Sequence, residues 1–180
     1  NVILNKQLTL TGAQAGVDAR GRVVGPPNPA SETILTAGSG ILMELQSGSA
    51  GAIVNGLVFS AGTRGIESTS GPINNFELRN SYFVGQAGNA VFLNDNGQNM
   101  TIDQNEFVGS ATSSTTFHMD TDAAHGLYFT NNNVLRTGGV VSTGFFVDGN
   151  RNVGTSAGLG GRDPLLQGNR FEGHALGLNG

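Results

Sequence analysis

An internal repeat of about 24 residues runs through most of this chain and limits its fold to a solenoid. Four segments carry an aliphatic residue followed five positions later by phenylalanine: residues 54–59, 78–83, 102–107 and 166–171. Residues 129–134 are a fifth copy, which closes on Val134 instead of phenylalanine. The closing residues are separated by 24, 24, 27 and 37 residues. Two equal steps and two longer ones predict stacked coils with loop insertions.

Each repeat predicts three short strands. In one full unit the strands lie around residues 76–79, 82–85 and 90–94, and Gly, Asn, Gln and Ser dominate the segments between them. Short strands separated by such turns are typical of one coil of a β-solenoid. A single coil cannot bury its apolar side, so neighbouring coils must stack strand on strand. Near the C-terminal end the pattern leaves two alternatives open, a strand at 140–143 or one at 145–147.

Composition agrees with frequent tight turns. The chain contains 29 Gly in 180 residues, whereas the average protein has roughly 7%. Gly and Asn tolerate the left-handed backbone angles that close tight corners. Charged residues make up 12% of the chain, well below the usual ~25%. Ten Phe and no Trp suit a narrow interior filled by stacked rings.

The polar turn between the second and third strand of each repeat makes the chain resemble the right-handed parallel β-helix proteins of the pectate-lyase superfamily. Those folds place a two-residue turn there, and its Asn side chains form a ladder along the stack. Residues 7–20, leading to residues 31–36, also resemble the first coil of bacterial secreted β-helix-repeat proteins. The residues at the matching turn position are Asn80/Ser81, Asn105, Asn131/Asn132 and Asn169.

The resemblance implies an all-β fold: a right-handed, single-stranded parallel β-helix of about seven coils with loop insertions. We expect a single β-helix domain over residues 1–180, with N-terminal coils and a Pro-rich loop in residues 1–45 and the repeat coils in residues 46–180. We also expect this domain to belong to a longer protein that is secreted or displayed at the cell surface. The superfamily includes lyases, hydrolases, epimerases, adhesins and phage tailspikes, so the fold does not fix the activity.

Charge and composition argue against several kinds of partner. The net charge is −4 and no basic run is present, so we expect no nucleic-acid binding. No apolar run of about 18 residues occurs, so we expect no membrane insertion. The densest polar group is residues 118–125, but an extended strand gives no closing geometry for His125 beside His118 and Asp120. We therefore expect neither a metal site nor a cofactor.

Alternation of side chains across a strand predicts two outward columns on one sheet. Coils about 4.8 Å apart would bring the three rings of the first column into one surface. The resemblance implies that this sheet carries the sugar-binding groove, and aromatic rings beside carboxylates suit carbohydrate. An ordinary polar exterior is the alternative. The first column is Glu67, Phe92, His118 and Phe146, and the second is Thr69, Asn94, Asp120 and Asp148.

Carbohydrate binding is therefore expected at Glu67, Phe92, Asn94, His118, Asp120 and Phe146, with a polysaccharide or glycan as the partner. Catalysis has weaker support. Glycoside hydrolysis needs two carboxylates ~5–9.5 Å apart, for which Asp120 and Asp148 are candidates, with His118 beside them. The alternation places no Arg or Lys on the outward columns, and no acidic triplet resembles the calcium cluster of pectate lyases.

The sequence favours a non-catalytic extracellular β-helix segment of a bacterial surface or secreted protein, with a structural or adhesive role and carbohydrate binding. The alternative is a carbohydrate-active enzyme, a polysaccharide lyase or glycoside hydrolase, that uses the outward carboxylates. The final coil offers few charges at its strand edges, which natural β-proteins use to prevent pairing. We therefore expect this face either to continue into further coils or to associate end to end with another copy.

Overall fold

The computed structural model describes residues 1–22, 25–93, 97–110, 115–120, 126–136, 143–148, 165–174 and 176–179. For residues 120, 147–148 and 176–179 it describes the backbone alone. Within these ranges the chain forms short strands joined by tight turns, and its one helical segment is the single 3-10 turn Ser47–Ser49.

The described strands follow one another in rounds of three. The first three coils are β1 (Val2–Leu4), β2 (Thr9–Thr11) and β3 (Thr33–Ala37); β4 (Ile41–Gln46), β5 (Ile53–Asn55) and β6 (Leu57–Ala61); β7 (Arg64–Ser70), β8 (Glu77–Arg79) and β9 (Tyr82–Val84). The next three are β10 (Val91–Leu93), β11 (Thr101–Asp103) and β12 (Glu106–Gly109); β13 (Thr115–Asp120), β14 (Tyr128–Thr130) and β15 (Asn133–Arg136); β16 (Thr143–Asp148), β17 (Leu165–Gln167) and β18 (Arg170–Glu172). β19 (Leu176–Asn179) begins a further round.

Each strand pairs in parallel with the corresponding strand of the neighbouring coil on each side, except at the sheet edges, and this pairing makes three sheets. The first sheet has the order β1-β4-β7-β10-β13-β16-β19, the second β17-β14-β11-β8-β5-β2 and the third β18-β15-β12-β9-β6-β3. The protein is thus a parallel β-solenoid, as predicted. The described strands make six coils and the first strand of a seventh, slightly fewer than expected. Thr143–Asp148 confirms the second of the two strand alternatives near the C-terminal end.

The repeated phenylalanines form a continuous column inside the solenoid. Phe59, Phe83 and Phe107 are fully buried and pair in register on successive strands of the third sheet. The ring centroids of Phe59 and Phe83 are 4.5 Å apart, and those of Phe83 and Phe107 are 5.0 Å apart. Val134 continues the same column in the next coil. The 24-residue period therefore records one interior position that recurs once per coil.

The turn between the second and third sheets carries the predicted Asn ladder. Its first residue adopts a left-handed backbone, with φ of 50° at Asn80 and 52° at Asn131, a conformation that Asn tolerates better than most residues. Its second residue points along the stack. The backbone N–H groups of Ser81, Asn105 and Asn132 each donate to the side-chain oxygen of the next Asn, at 2.9, 3.0 and 2.9 Å.

The described part of the loop between β2 and β3, residues 13–22 and 25–32, is a strap along the side of the solenoid. Its backbone bonds to the second and fourth coils: Gly16 N donates to Asn55 Oδ1, Ala19 N to the Gln104 carbonyl and Gly21 N to Glu106 Oε2. A Cβ atom on Gly56 would lie 2.2 Å from the backbone nitrogen of Ala15, so this close approach needs glycine.

Beneath the strap, outward positions of the third sheet are buried. Val58, Tyr82 and Glu106 are 0%, 5% and 5% exposed, although each lies next to an interior phenylalanine and so points away from the core. Burial, together with the nearby Glu106 carboxylate, raises the pKa of Tyr82. The strap closes off this side of the solenoid and leaves the outer face of the first sheet as a separate surface.

Candidate functional site

The outer face of the first sheet carries the predicted column of side chains in register. Glu67 pairs with Phe92, Phe92 with His118, and His118 with Phe146. All four side chains are partly exposed. The residues that precede them, Ile66, Val91, Phe117 and Phe145, are 0–1% exposed. The predicted assignment of inward and outward positions on these strands is therefore correct. We call Glu67, Phe92, His118 and Phe146 the outer row.

The three rings of the outer row contact one another along the stack. The ring centroids of Phe92 and His118 are 4.8 Å apart with an interplanar angle of 89°. Those of His118 and Phe146 are 5.0 Å apart with an angle of 68°. Such edge-to-face contacts are favoured by the ring quadrupoles. Because each ring also sits on a strand of a continuous sheet, the three form one fixed, partly apolar surface.

Arg64 is on neither predicted column, but its side chain contacts the outer row. The Arg64 guanidinium lies 4.2 Å from the centroid of the Phe92 ring and forms an ion pair with Glu67. The side chains of Arg64 and Glu67 are 31% and 15% exposed. A cation over an aromatic face is attracted by the ring quadrupole, so Arg64 links the carboxylate to the aromatic part of the row.

The alternation rule missed Arg64 because the strand bends at its start. Gly65 and Ile66 both face the interior: a Cβ atom on Gly65 would lie 2.7 Å from the Phe83 ring, and Ile66 is fully buried. Two consecutive inward residues interrupt the alternation of inward and outward side chains along β7. Arg64 therefore points outward, whereas strict alternation would point it inward. The sequence signal for this bend is a small residue at the same position in adjacent coils, Gly65 and Ala90.

Glu44 extends the row by one coil, because it pairs in register with Glu67. Its Oε1 accepts hydrogen bonds from Gln46 Nε2 at 2.9 Å and from Thr69 Oγ1 at 2.7 Å. These two bonds, that from Gln46 first, hold the pKa of Glu44 below its usual value. The carboxylate is therefore ionised at neutral pH and retains acceptor capacity. Glu44 was not among the predicted site residues, because β4 precedes the first phenylalanine repeat.

The second predicted column lies largely outside the described side chains. Asn94 is outside the described residues, and the side chains of Asp120 and Asp148 are not described. Their backbones pair in register on β13 and β16. The carboxylate pair therefore stays a prediction. In the part of the chain that the structure describes, no group of three His, Cys, Asp or Glu side chains is placed to hold a metal ion.

Comparisons of the chain with protein-family models, curated proteins and solved structures found no match. The sheet topology assigns the protein to the class of parallel β-solenoids. Over the same described ranges, no helix has the length and apolar character needed to cross a membrane.

Proposed function

We propose that this chain is a non-catalytic, extracellular β-helix segment of a bacterial surface or secreted protein, and that it binds carbohydrate on the outer face of its first sheet. The observation that carries the proposal is the outer row: three partly exposed rings in contact along the stack, beside the Arg64–Glu67 ion pair and the Glu44 carboxylate.

Sugars match this mixture of groups because a pyranose ring combines apolar C–H faces with hydroxyl groups. The rings of Phe92, His118 and Phe146 supply partly exposed apolar area in a fixed position. Glu44 and Glu67 accept hydrogen bonds from hydroxyls. A rigid surface also limits the conformational entropy lost on binding. A site with these properties lies along the side of a rod, which suits an adhesive or spacer module.

The Asn ladder supports the finer assignment to the pectate-lyase superfamily. The ladder occupies the turn between the second and third strands of the coil, which is where the resemblance placed it. The extracellular location rests on the same resemblance. Surface proteolysis of intact cells of the source organism tests that location, and protection of the chain would contradict it.

A glycan-array screen with matched variants tests carbohydrate binding. Phe92→Ala and Phe146→Ala remove rings of the outer row and should each weaken binding about tenfold, which corresponds to ~1.4 kcal/mol. Tyr128→Ala is the control, since Tyr128 is a partly exposed aromatic residue on β14 of the second sheet. Equal loss in all three variants, or no binding by the parent chain, would contradict the proposal.

Assays for reducing sugar and for unsaturated uronate, run on the glycans that bind, test the non-catalytic part. We expect no product. Turnover that is lost in Asp120→Asn or Asp148→Asn would favour the carbohydrate-active enzyme instead, because the two positions are aligned on adjacent strands.

A further inference from the structure

We infer that the ligand of the outer row is an uncharged, linear polysaccharide lying along the solenoid axis, and that this face discriminates against polyuronates. The inference rests on the proposed carbohydrate-binding function and adds the chemical class of the ligand. It follows from the charges of the first sheet and from the direction of the outer row.

The charge balance of this face is negative. Among the side chains that the structure describes on the strands of the first sheet, the carboxylates are those of Glu44 and Glu67, and the guanidinium is that of Arg64. The positive charge of Arg64 is already matched by its ion pair with Glu67. The same guanidinium also lies against the Phe92 ring. No unmatched cation therefore faces a ligand from these described strands.

A polyuronate carries one carboxylate on each sugar, so it needs cations along its path. On this face it would approach the Glu44 carboxylate, or it would have to take Arg64 from Glu67 and leave that carboxylate unmatched. Like charges brought together suppress binding of the wrong partner. A neutral sugar meets neither cost, because its hydroxyls donate to carboxylates and its C–H faces contact the rings.

The direction of the ligand follows from the register. Glu44, Glu67, Phe92, His118 and Phe146 stand on five consecutive strands of the sheet. At about 4.8 Å per strand, the outer row together with Glu44 is about 19 Å long. A linear chain placed along it contacts a new side chain at every coil, whereas a chain placed across the strands would meet one residue of the row. The geometry therefore favours an extended polymer parallel to the axis.

The test compares three polymers on the same protein: a soluble neutral β-glucan, polygalacturonate and chitosan oligomers. Binding is measured at low salt and at about 1 M salt, where the Debye length is ~3 Å. We expect the β-glucan to bind with little salt dependence and to lose binding in Phe92→Ala. We expect the unmodified chain to bind polygalacturonate measurably but more weakly than the β-glucan.

Glu67→Gln provides a matched variant, because it removes the partner of Arg64 and preserves the size of the side chain. At low salt this variant should gain affinity for polygalacturonate, by about fivefold for one freed charge near the surface, and should lose that gain at high salt. An unchanged affinity would show that Arg64 does not set the charge preference.

Two results separate this inference from the function on which it rests. If the unmodified chain binds polygalacturonate but no neutral polymer, or binds chitosan alone and releases it at high salt, carbohydrate binding stands and the inference fails. If none of the three polymers binds and the glycan array is also negative, both fail.

Discussion

Phenylalanine occupies two environments in this protein, and the difference can be measured as stability. Phe107 is fully buried and contacts the rings of Phe83, Phe117 and Phe129. Phe92 lies on the outer row and is partly exposed. We expect Phe107→Ala to lower the free energy of unfolding by about 3–5 kcal/mol, since it removes buried apolar area and leaves a cavity. Phe92→Ala should cost much less.

Chemical-denaturant titration of the two variants measures this difference directly. The comparison is internally matched, because the two substitutions delete the same atoms in the same coil. Equal losses of stability would contradict the assignment of Phe92 to the outer face. They would also remove the basis for treating the outer row as a binding surface.

Asn105 lies inside the Asn ladder, with ladder residues in the coils on both sides. Its Nδ2 donates to the Leu78 carbonyl at 2.9 Å and to Asn132 Oδ1 at 3.0 Å, and its Oδ1 accepts from Ser81 N at 2.9 Å. The side chain is fully buried. Asn105→Ala leaves these backbone groups without their partner, so we expect a loss of about 1–3 kcal/mol in denaturant titration.

Thr101→Ala serves as the control for the ladder, because Thr101 belongs to the same coil but is partly exposed on β11. We expect its effect to stay within about 0.5 kcal/mol. A stability loss for Asn105→Ala no larger than that of the control would show that the ladder adds nothing beyond the backbone pairing of the sheets.

At the scale of elements, the strap is held by a shielded ion pair. Arg22 Nε lies 3.2 Å from Glu32 Oε1, with the two side chains 9% and 6% exposed. Arg22 Nη1 also donates to the Val17 and Asn80 carbonyls, both at 2.9 Å. Removing one partner of a buried pair leaves an uncompensated charge. We therefore expect Arg22→Ala to destabilise the strap by about 3–5 kcal/mol.

Hydrogen exchange locates the effect of Arg22→Ala. The amides of Ala19 and Gly21, which bond to Gln104 and Glu106, should lose protection, while the amides of the interior strands keep theirs. Arg20→Ala is the matched control, because Arg20 and Asp18 form a pair with side chains 33% and 35% exposed, worth about 0–1 kcal/mol. Unchanged protection at Ala19 and Gly21 would show that backbone bonds alone hold the strap.

The elements that repeat were predictable from the sequence, and those that depend on contacts between distant residues were not. Phe83 and Phe107 reveal the period because every coil reuses one interior position. The strap has no such period, and its bond from Gly21 to Glu106 spans 85 residues. Arg64 was missed for a local reason, since strict alternation fails where the strand bends at Gly65. The sequence therefore predicted the outer row as a column of side chains, but it did not predict the ion pair between Arg64 and Glu67.

At the scale of the whole molecule, the second sheet carries one interior column of apolar residues that reaches both ends of the stack. Leu166 on β17 lies in the column of Phe129, which is fully buried, yet Leu166 is 38% exposed and Leu165 is 42% exposed. β17 and β2 are the two edge strands of the second sheet, and Leu10 of β2 belongs to the same column through Val54. An edge strand with exposed apolar residues and no charge is a template for pairing.

We therefore expect residues 1–180 to associate end to end, with β17 of one copy against β2 of the next. Because the two edges are different surfaces, the contact does not close on itself and the assembly should grow beyond a dimer.

Light scattering across a concentration series measures the rise in mass. Leu166→Lys should suppress it, since a charged residue on an edge strand opposes pairing, whereas Val17→Lys, at a 46% exposed position on the strap, should not. A constant monomer mass for the unmodified chain, or equal suppression by both variants, would contradict association through β17.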